Sequence, residues 1–196
     1  MLDTYGRKYA KKVIVSGADK FINLGMDANG VTKLAFLVGV SSGIAVFFNL
    51  RILAVVLLWL SGYLDSVDGE IARKTNTTSD YGALMDIVFD RMVEASIIAA
   101  IALNYEGSRV YLVFLSLSII LSMTIFLTVG ALSEKRGIKS FYYQAGLAER
   151  TEGFIMFTLM IIFINRVEII TIIFTAMIIF TAMQRMKEGK KIFQSK

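Results

Sequence analysis

The sequence contains no cysteine, no histidine and no proline among its 196 residues. The absence of cysteine excludes disulfides and a thiol nucleophile, and the absence of histidine excludes a Ser-His triad, an imidazole base and a His-ligated metal. Without proline, helix kinks are left to glycine and serine. Carboxylates, lysines, tyrosines and hydroxyls are therefore the side chains that remain for chemistry.

Long apolar blocks are the most abundant feature of the chain. Hydrophobic residues make up 56% of the sequence and the mean hydropathy is +0.63, which is too apolar for a soluble domain of this size. Spans of about 20 apolar residues predict six transmembrane helices, at residues 31–48, 52–73, 81–105, 110–132, 149–165 and 168–186. We therefore expect an all-α integral membrane protein with one domain over 1–196, in which a six-helix bundle at 31–190 is followed by a tail at 191–196.

The first 30 residues have a different pattern and form the lead-in to the bundle. Basic residues at positions 7, 8, 11, 12 and 20 alternate with apolar ones, which is typical of an amphipathic helix lying in the membrane interface. No continuous apolar core precedes a small-residue cleavage site, so this segment is not expected to be a signal peptide.

Basic residues are distributed unevenly between the two sides of the predicted bundle. If the amino terminus, the 74–80 turn, the 134–148 loop and the carboxyl tail share one side, that side carries 17 of the 21 lysines and arginines. Three arginines lie on the other side, and Arg91 lies inside a span. The positive-inside rule then predicts a multi-pass cell-membrane protein with both termini in the cytoplasm, where a water-soluble substrate could reach the ends of spans two and three.

Four aspartates lie in those two spans: Asp65 and Asp68 in the second, Asp86 and Asp90 in the third. An uncompensated charge at bilayer depth costs at least roughly 2.5 to 3.5 kcal/mol, so four together imply a compensating cation. Spacings of three and four residues place each pair on one helix face, and the short turn at 74–80 predicts that the two helices are antiparallel neighbours. Oxygen ligands without His or Cys favour Mg²⁺ or Mn²⁺.

Two glycines and one arginine accompany the acids. Gly69 and Gly82 permit close approach by a helix or a ligand, and Arg73 lies at the cytoplasmic end, where a phosphate would arrive. Taken singly, each feature has a structural reading: a packing glycine, a membrane-anchoring arginine, or a buried aspartate in an ion pair. Their occurrence together at these spacings favours a functional site over these structural interpretations.

The complete pattern is D-x2-D-G-x2-A-R-x8-G-x3-D-x3-D. It resembles the signature of the CDP-alcohol phosphotransferases and fills every fixed position of that signature. Members of this family are similarly six-helix membrane proteins with a cytoplasmic amphipathic helix, usually homodimers. The resemblance implies transfer of a substituted phosphate from a CDP-linked donor, typically CDP-diacylglycerol, to an alcohol with release of CMP. It also implies that Asp65, Asp68, Asp86 and Asp90 hold one or two ions against the diphosphate, and that Asp90 is the base.

The same resemblance implies a donor-binding set. Attack on the lipid-linked phosphorus needs charge neutralisation on two phosphates and removal of one proton, which metals with Arg73 and a carboxylate would supply. Small residues would leave room for the cytidine, and a segment similar to the family's Pro-Asn-x-x-Thr precedes span one, with Ala28 in place of the proline. The expected donor-binding residues are Gly69, Ala72, Arg73, Gly82, Asn29 and Thr32.

The acceptor is indicated by a second resemblance. Residues 146–153 are similar to a segment of the branch that uses phosphorylated polyols such as inositol phosphate, in which the matching arginine helps to bind the acceptor phosphate. This implies an acceptor role for Arg150, although Gly153 stands where that branch often has arginine, and Lys135 is a further candidate acceptor residue. Arg150 also fits an interfacial anchor, and Lys135 fits a patch for lipid headgroups.

Other classes of function make different demands on the sequence. A divalent cation transporter should carry acids along a full crossing path and often an internal repeat, whereas these acids occupy one half of two spans, and a purely structural protein would not need four buried carboxylates. If the protein is an enzyme, the alternative is a CDP-aminoalcohol transferase that uses diacylglycerol as acceptor. The expected partners are a CDP-linked lipid, a small alcohol, membrane lipids and a second copy of the chain, and no nucleic acid.

Overall fold

The structure is a computed structural model that describes residues 2–135 and 147–194, with side chains described over 11–133 and 147–194. These residues form seven α-helices and no strands, which confirms the all-α prediction. The helices are α1 (Leu2–Asn23), α2 (Ala28–Phe47), α3 (Arg51–Thr75), α4 (Asp80–Asn104), α5 (Arg109–Lys135), α6 (Arg150–Ile162) and α7 (Val167–Gln194). Short 3-10 turns at Glu106–Ser108 and Ile164–Arg166 precede α5 and α7.

Four of the predicted spans are long and apolar enough to cross a membrane: Ala28–Phe47, Arg51–Thr75, Glu106–Ser133 and Ile164–Gln194. This makes the chain a multi-pass membrane protein. The other two predicted spans correspond to α4, which carries several charges, and to α6, which has 13 residues. Helix α7 continues to Gln194, through most of the tail predicted at 191–196, and the cytoplasmic position of that tail stays a prediction.

The helices fall into two compact units, α1 to α4 and α5 to α7. In the first unit, the apolar side of α1 joins α2 and α3 in one buried cluster. That cluster is formed by Ala18, Ala28, Val31, Ala35, Leu64, Val67 and Ile71, with Ile14, Phe21 and Ile22 packed against it. In a bilayer, close van der Waals packing of this kind holds helices together. In the second unit, α7 packs against both α5 and α6.

The central helix of the first unit is α2, which packs against both α3 and α4. Among the described residues, the backbones of α3 and α4 both lie close to α2 and farther from each other, so the two predicted neighbours meet through side chains rather than by close backbone packing. The physical reason is the small-residue surface of α2. An added Cβ on Gly39 would meet Ser61 of α3 and Val93 of α4, and one on Gly43 would meet Ser96, so α2 fits closely between the two helices.

Capping residues fix the ends of the helices that carry the acids. Asn76 ends α3 with a left-handed φ of 53°, a conformation that asparagine tolerates well. The Ser79 hydroxyl then accepts a hydrogen bond from the Gly82 amide at 3.1 Å and begins α4, as serine commonly does at this position. The chain therefore reverses over residues 76–79, within the predicted turn.

We predict that Gly43→Ala destabilises the protein. The new Cβ would lie 2.8 Å from the Ser96 carbonyl carbon, so α2 and α4 would have to separate, and overpacking of this kind costs about 1–3 kcal/mol. In thermal unfolding of the detergent-solubilised protein, each kcal/mol should lower Tm by about 2–4 °C. Gly153→Ala is the matched control, because among the described residues its Cβ would meet Phe174 at an ordinary contact distance of 3.9 Å and alanine favours helix. A Gly43→Ala protein as stable as the parent would contradict this close packing.

Candidate active site

Three carboxylates converge between α3 and α4. Asp65, Asp86 and Asp90 each place one oxygen within 4.8 Å of the others, and all three residues are half-buried. The convergence follows from sequence spacing, because Asp86 and Asp90 are one helical turn apart and the capped turn returns α4 towards α3. Three acids so close together repel one another and favour binding of a cation.

The donor set fits a hard divalent ion. Ligand oxygens on opposite sides of one Mg²⁺ are about 4.2 Å apart, so small side-chain movements would bring Asp65, Asp86 and Asp90 to coordination distance. All three offer carboxylate oxygens, the ligands that Mg²⁺ and Mn²⁺ prefer. These residues could therefore hold a metal ion.

The fourth predicted acid, Asp68, has a different environment. It lies on α3 three residues after Asp65, is only 7% exposed, and is not a member of the three-carboxylate group that the described residues form. Its role as a metal ligand stays a prediction.

The Arg73 side chain occupies the space that a side chain at Gly69 would fill. An added Cβ on Gly69 would lie 3.3 Å from Arg73 Nη1, so this glycine allows the guanidinium to fold back along α3. Arg73 also donates to Glu70 Oε2 from Nη2 at 2.8 Å and from Nε at 3.3 Å. Glu70 is absent from the predicted site, although its spacing of three residues from Arg73 is a recognised signal for a helical ion pair.

One of the predicted nucleotide residues on α2, Asn29, lies near the start of α4. An added Cβ on Gly82 would lie 3.5 Å from Asn29 Oδ1, so Asn29 and Gly82 adjoin each other. The Thr32 hydroxyl is buried and donates to the Ala28 carbonyl at 3.0 Å. Ala72 packs against the apolar cluster of α1 to α3.

The predicted acceptor residues belong to the second unit. Arg150 is the first residue of α6, and its guanidinium carbon lies 5.7 Å from the centroid of the Phe154 ring, within the range of a cation–π contact. The amino terminus of a helix carries partial positive charge, so the helix dipole does not stabilise the Arg150 guanidinium at this position. Lys135 ends α5, and its side chain lies outside the described residues.

These features define an all-helical, multi-pass membrane protein with a carboxylate site suited to a metal ion. Residues 26–184 match the family model of the CDP-alcohol phosphatidyltransferases. The chain therefore belongs to the CDP-alcohol phosphatidyltransferase family and is a transferase, as the sequence signature predicts.

Relatives in sequence cover different shares of the chain. The archaetidylinositol phosphate synthase of Pyrococcus horikoshii is 34% identical over 42% of this chain and 44% of its own length. The bifunctional IPC transferase and DIPP synthase of Aquifex aeolicus is 33% identical over 52% of this chain. The match spans only 22% of that longer protein.

The fold is similar to that of the phosphatidylinositol phosphate synthase of Mycobacterium tuberculosis. The crystal structure with CDP-DAG bound has a TM-score of 0.72 at 16% identity and covers 91% of this chain and 94% of that one. The complex with manganese and citrate has a TM-score of 0.71 at 17% identity, with coverage of 90% and 88%. At this identity the similarity establishes the fold.

Proposed function

We propose that this chain transfers a phosphatidyl-type group from a CDP-linked lipid, such as CDP-diacylglycerol, to a phosphorylated polyol and releases CMP. The observation that carries the proposal is the convergence of Asp65, Asp86 and Asp90 within 4.8 Å, on helices that also bear Arg73 and Gly82. Family membership supports the CDP-linked donor. The names of the inositol phosphate synthases among its relatives support a phosphorylated polyol as acceptor.

In this proposal Asp65, Asp86 and Asp90, together with Asp68, hold one or two Mg²⁺ or Mn²⁺ ions. When bound, such ions neutralise negative charge on the donor diphosphate. Arg73 adds a further positive charge. Its side chain is 60% exposed where it pairs with Glu70, and an exposed pair of this kind contributes little, so a phosphate can replace Glu70 as its partner.

The proposed reaction forms a bond between the acceptor hydroxyl oxygen and the lipid-linked phosphorus. The bond from that phosphorus to the oxygen bridging to CMP breaks, and its electron pair leaves with CMP. The Asp90 carboxylate takes the hydroxyl proton as a general base. Gly69 leaves room for the Arg73 guanidinium beside the donor, and Gly82, Asn29, Thr32 and Ala72 complete the donor-binding set.

The membrane arrangement follows from the same proposal. We expect α2 to α7 to provide six spans, with α1 in the interface, because α4 and α6 occupy the sequence positions of spans three and five. The lysine and arginine distribution supports cytoplasmic termini and a cytoplasmic active site. We expect the chain to form one domain and to act as a homodimer, as its family resemblance implies.

The acceptor class is tested by an acceptor panel. The purified protein, given a CDP-lipid and Mg²⁺ or Mn²⁺, should form a lipid product with inositol phosphate or glycerol phosphate, identified by mass spectrometry. Inositol and serine are the unphosphorylated controls. A preference for an unphosphorylated alcohol would overturn the phosphorylated-polyol proposal, and product formation from a CDP-aminoalcohol with diacylglycerol would replace it by the alternative transferase.

We predict that Arg150→Ala raises the KM for the phosphorylated acceptor about tenfold or more and leaves the donor KM nearly unchanged. A charge-assisted hydrogen bond to phosphate contributes roughly 1.5–3 kcal/mol, which accounts for this factor. Arg150→Lys should recover only part of the loss, because lysine lacks the planar, bidentate guanidinium. Steady-state kinetics with each substrate varied in turn provide the measurement.

Arg166→Ala is the control for Arg150→Ala, because Arg166 is an exposed arginine in the same unit. It should leave both KM values near those of the parent. Full recovery by Arg150→Lys, or equal effects on donor and acceptor, would make Arg150 an interfacial anchor instead.

A further inference from the structure

A depression of about 290 Å³ lies between α1 and α3, in the first unit and apart from the carboxylates. Its lining residues are Lys12, Val13, Ser16, Gly17, Lys20 and Tyr63. The first five lie on one side of α1, because positions 12, 16 and 20 and positions 13 and 17 recur at the helical spacing of four residues.

The floor of the depression is largely apolar and is fixed by Tyr63. The Tyr63 hydroxyl donates to the Val13 carbonyl oxygen at 3.3 Å, and the phenol lies where a side chain at Gly17 would be. Val13 is 60% exposed. A tyrosine ring and an exposed valine therefore provide an apolar contact surface beside the helix.

The rim of the depression is basic. Lys12, Ser16 and Lys20 are exposed, and the two lysines are separated by about 12 Å along the helix, so their long side chains can meet over Ser16. None of the lining residues is acidic. The nearby Asp19 forms an ion pair with Lys74 at 2.5 Å, which leaves the positive charge of the rim in place.

Tyr63 places this depression near the point where the sequence of α3 changes from uncharged to acidic. An uncharged segment at 52–64 ends one residue after Tyr63, and Asp65 is the first acid. Tyrosine favours the level where the bilayer meets water, which is also the level of lipid phosphates. Residues two positions apart in a helix point about 200° apart around its axis, so Tyr63 and Asp65 lie on different faces of α3.

We propose that this depression binds the phosphate headgroup of an anionic membrane phospholipid. Lys12 and Lys20 contact the phosphate, and the Ser16 hydroxyl donates to it, since charge-assisted hydrogen bonds favour this group. The glycerol and first acyl carbons lie against Val13 and Tyr63. The bound lipid would connect α1 to α3 at the interface, in a site distinct from that of the transferred lipid.

The test is a lipid titration of the full-length protein in neutral detergent, followed by native mass spectrometry. Short-chain phosphatidylglycerol should bind at one site per chain, well above the level of matching phosphatidylcholine. Lys12→Gln/Lys20→Gln should weaken phosphatidylglycerol binding at least tenfold, because a charge-assisted hydrogen bond to a phosphate contributes about tenfold or more. Ser16→Trp, which keeps both lysines and fills the depression, should also abolish the site.

The matched control is Lys11→Gln/Lys33→Gln, which removes the same charge from two exposed lysines outside the lining and should change binding less than twofold. Parent-like binding by both Lys12→Gln/Lys20→Gln and Ser16→Trp would overturn the proposal, as would equal binding of phosphatidylcholine. Displacement of the lipid by millimolar inorganic phosphate would assign the site to free phosphate. Displacement by a CDP-lipid would assign it to the donor, and either result also overturns the proposal.

Discussion

Asp90→Asn is expected to reduce turnover by a factor of at least 100. A general base contributes roughly 10² to 10⁴ to the rate, and asparagine retains the shape of the side chain without accepting the proton. Because Asp90 is also a member of the three-carboxylate cluster, turnover is compared at saturating Mg²⁺ or Mn²⁺, where nucleotide binding should be largely kept. The measurement is kcat from CMP release, combined with a separate titration of CDP binding.

Asp80→Asn is the control for Asp90→Asn, because Asp80 is an exposed aspartate at the start of the same helix. Its turnover should be close to that of the parent. If Asp90→Asn instead loses CDP binding and shows no separate effect on chemistry, Asp90 is chiefly a metal ligand and the base lies elsewhere.

Asp65→Asn and Asp86→Asn should each weaken metal and donor binding together. Loss of a group that only supports a metal ligand typically costs 10- to 100-fold in affinity, and these residues are expected to bind the ion directly. The remaining carboxylates would then repel the donor diphosphate more strongly, because less metal ion would be bound between them. The Mn²⁺ dissociation constant from electron paramagnetic resonance and the metal concentration at half-maximal activity should both rise at least tenfold.

Comparing these two variants tests whether Asp65 and Asp86 bind the same ion. Asp65→Asn and Asp86→Asn lie on different helices, so a similar loss in both would indicate one shared metal site. Wild-type metal dependence in either variant would mean that the three carboxylates do not act on a common ion.

Much of the fold and part of the site are predictable because they depend on local spacing. The apolar blocks predict every helix from α2 to α7 to within a few residues at the amino-terminal end. The positions of Asp86 and Asp90, one turn apart, predict a shared face, and the polar turn predicts that α4 returns towards Asp65. The three-carboxylate group follows from these local rules.

Other features depend on contacts between distant residues, which spacing does not specify. The position of α2 between α3 and α4 arises from Gly39 and Gly43 meeting residues of both helices. A short turn suggests direct packing of its two helices, yet small residues elsewhere can offer a closer fit. The same limit applies to the depression at Tyr63, whose lining comes from segments about 50 residues apart.

The proposed reaction is tested most directly by measuring CMP release from CDP-diacylglycerol by the purified protein. We predict release that requires both Mg²⁺ or Mn²⁺ and a phosphorylated polyol, that stops on chelation, and that falls at least 100-fold in Asp90→Asn. No CMP release with any acceptor while metal and CDP-lipid are bound, or equal release without a divalent ion, would contradict a metal-dependent transfer at these carboxylates.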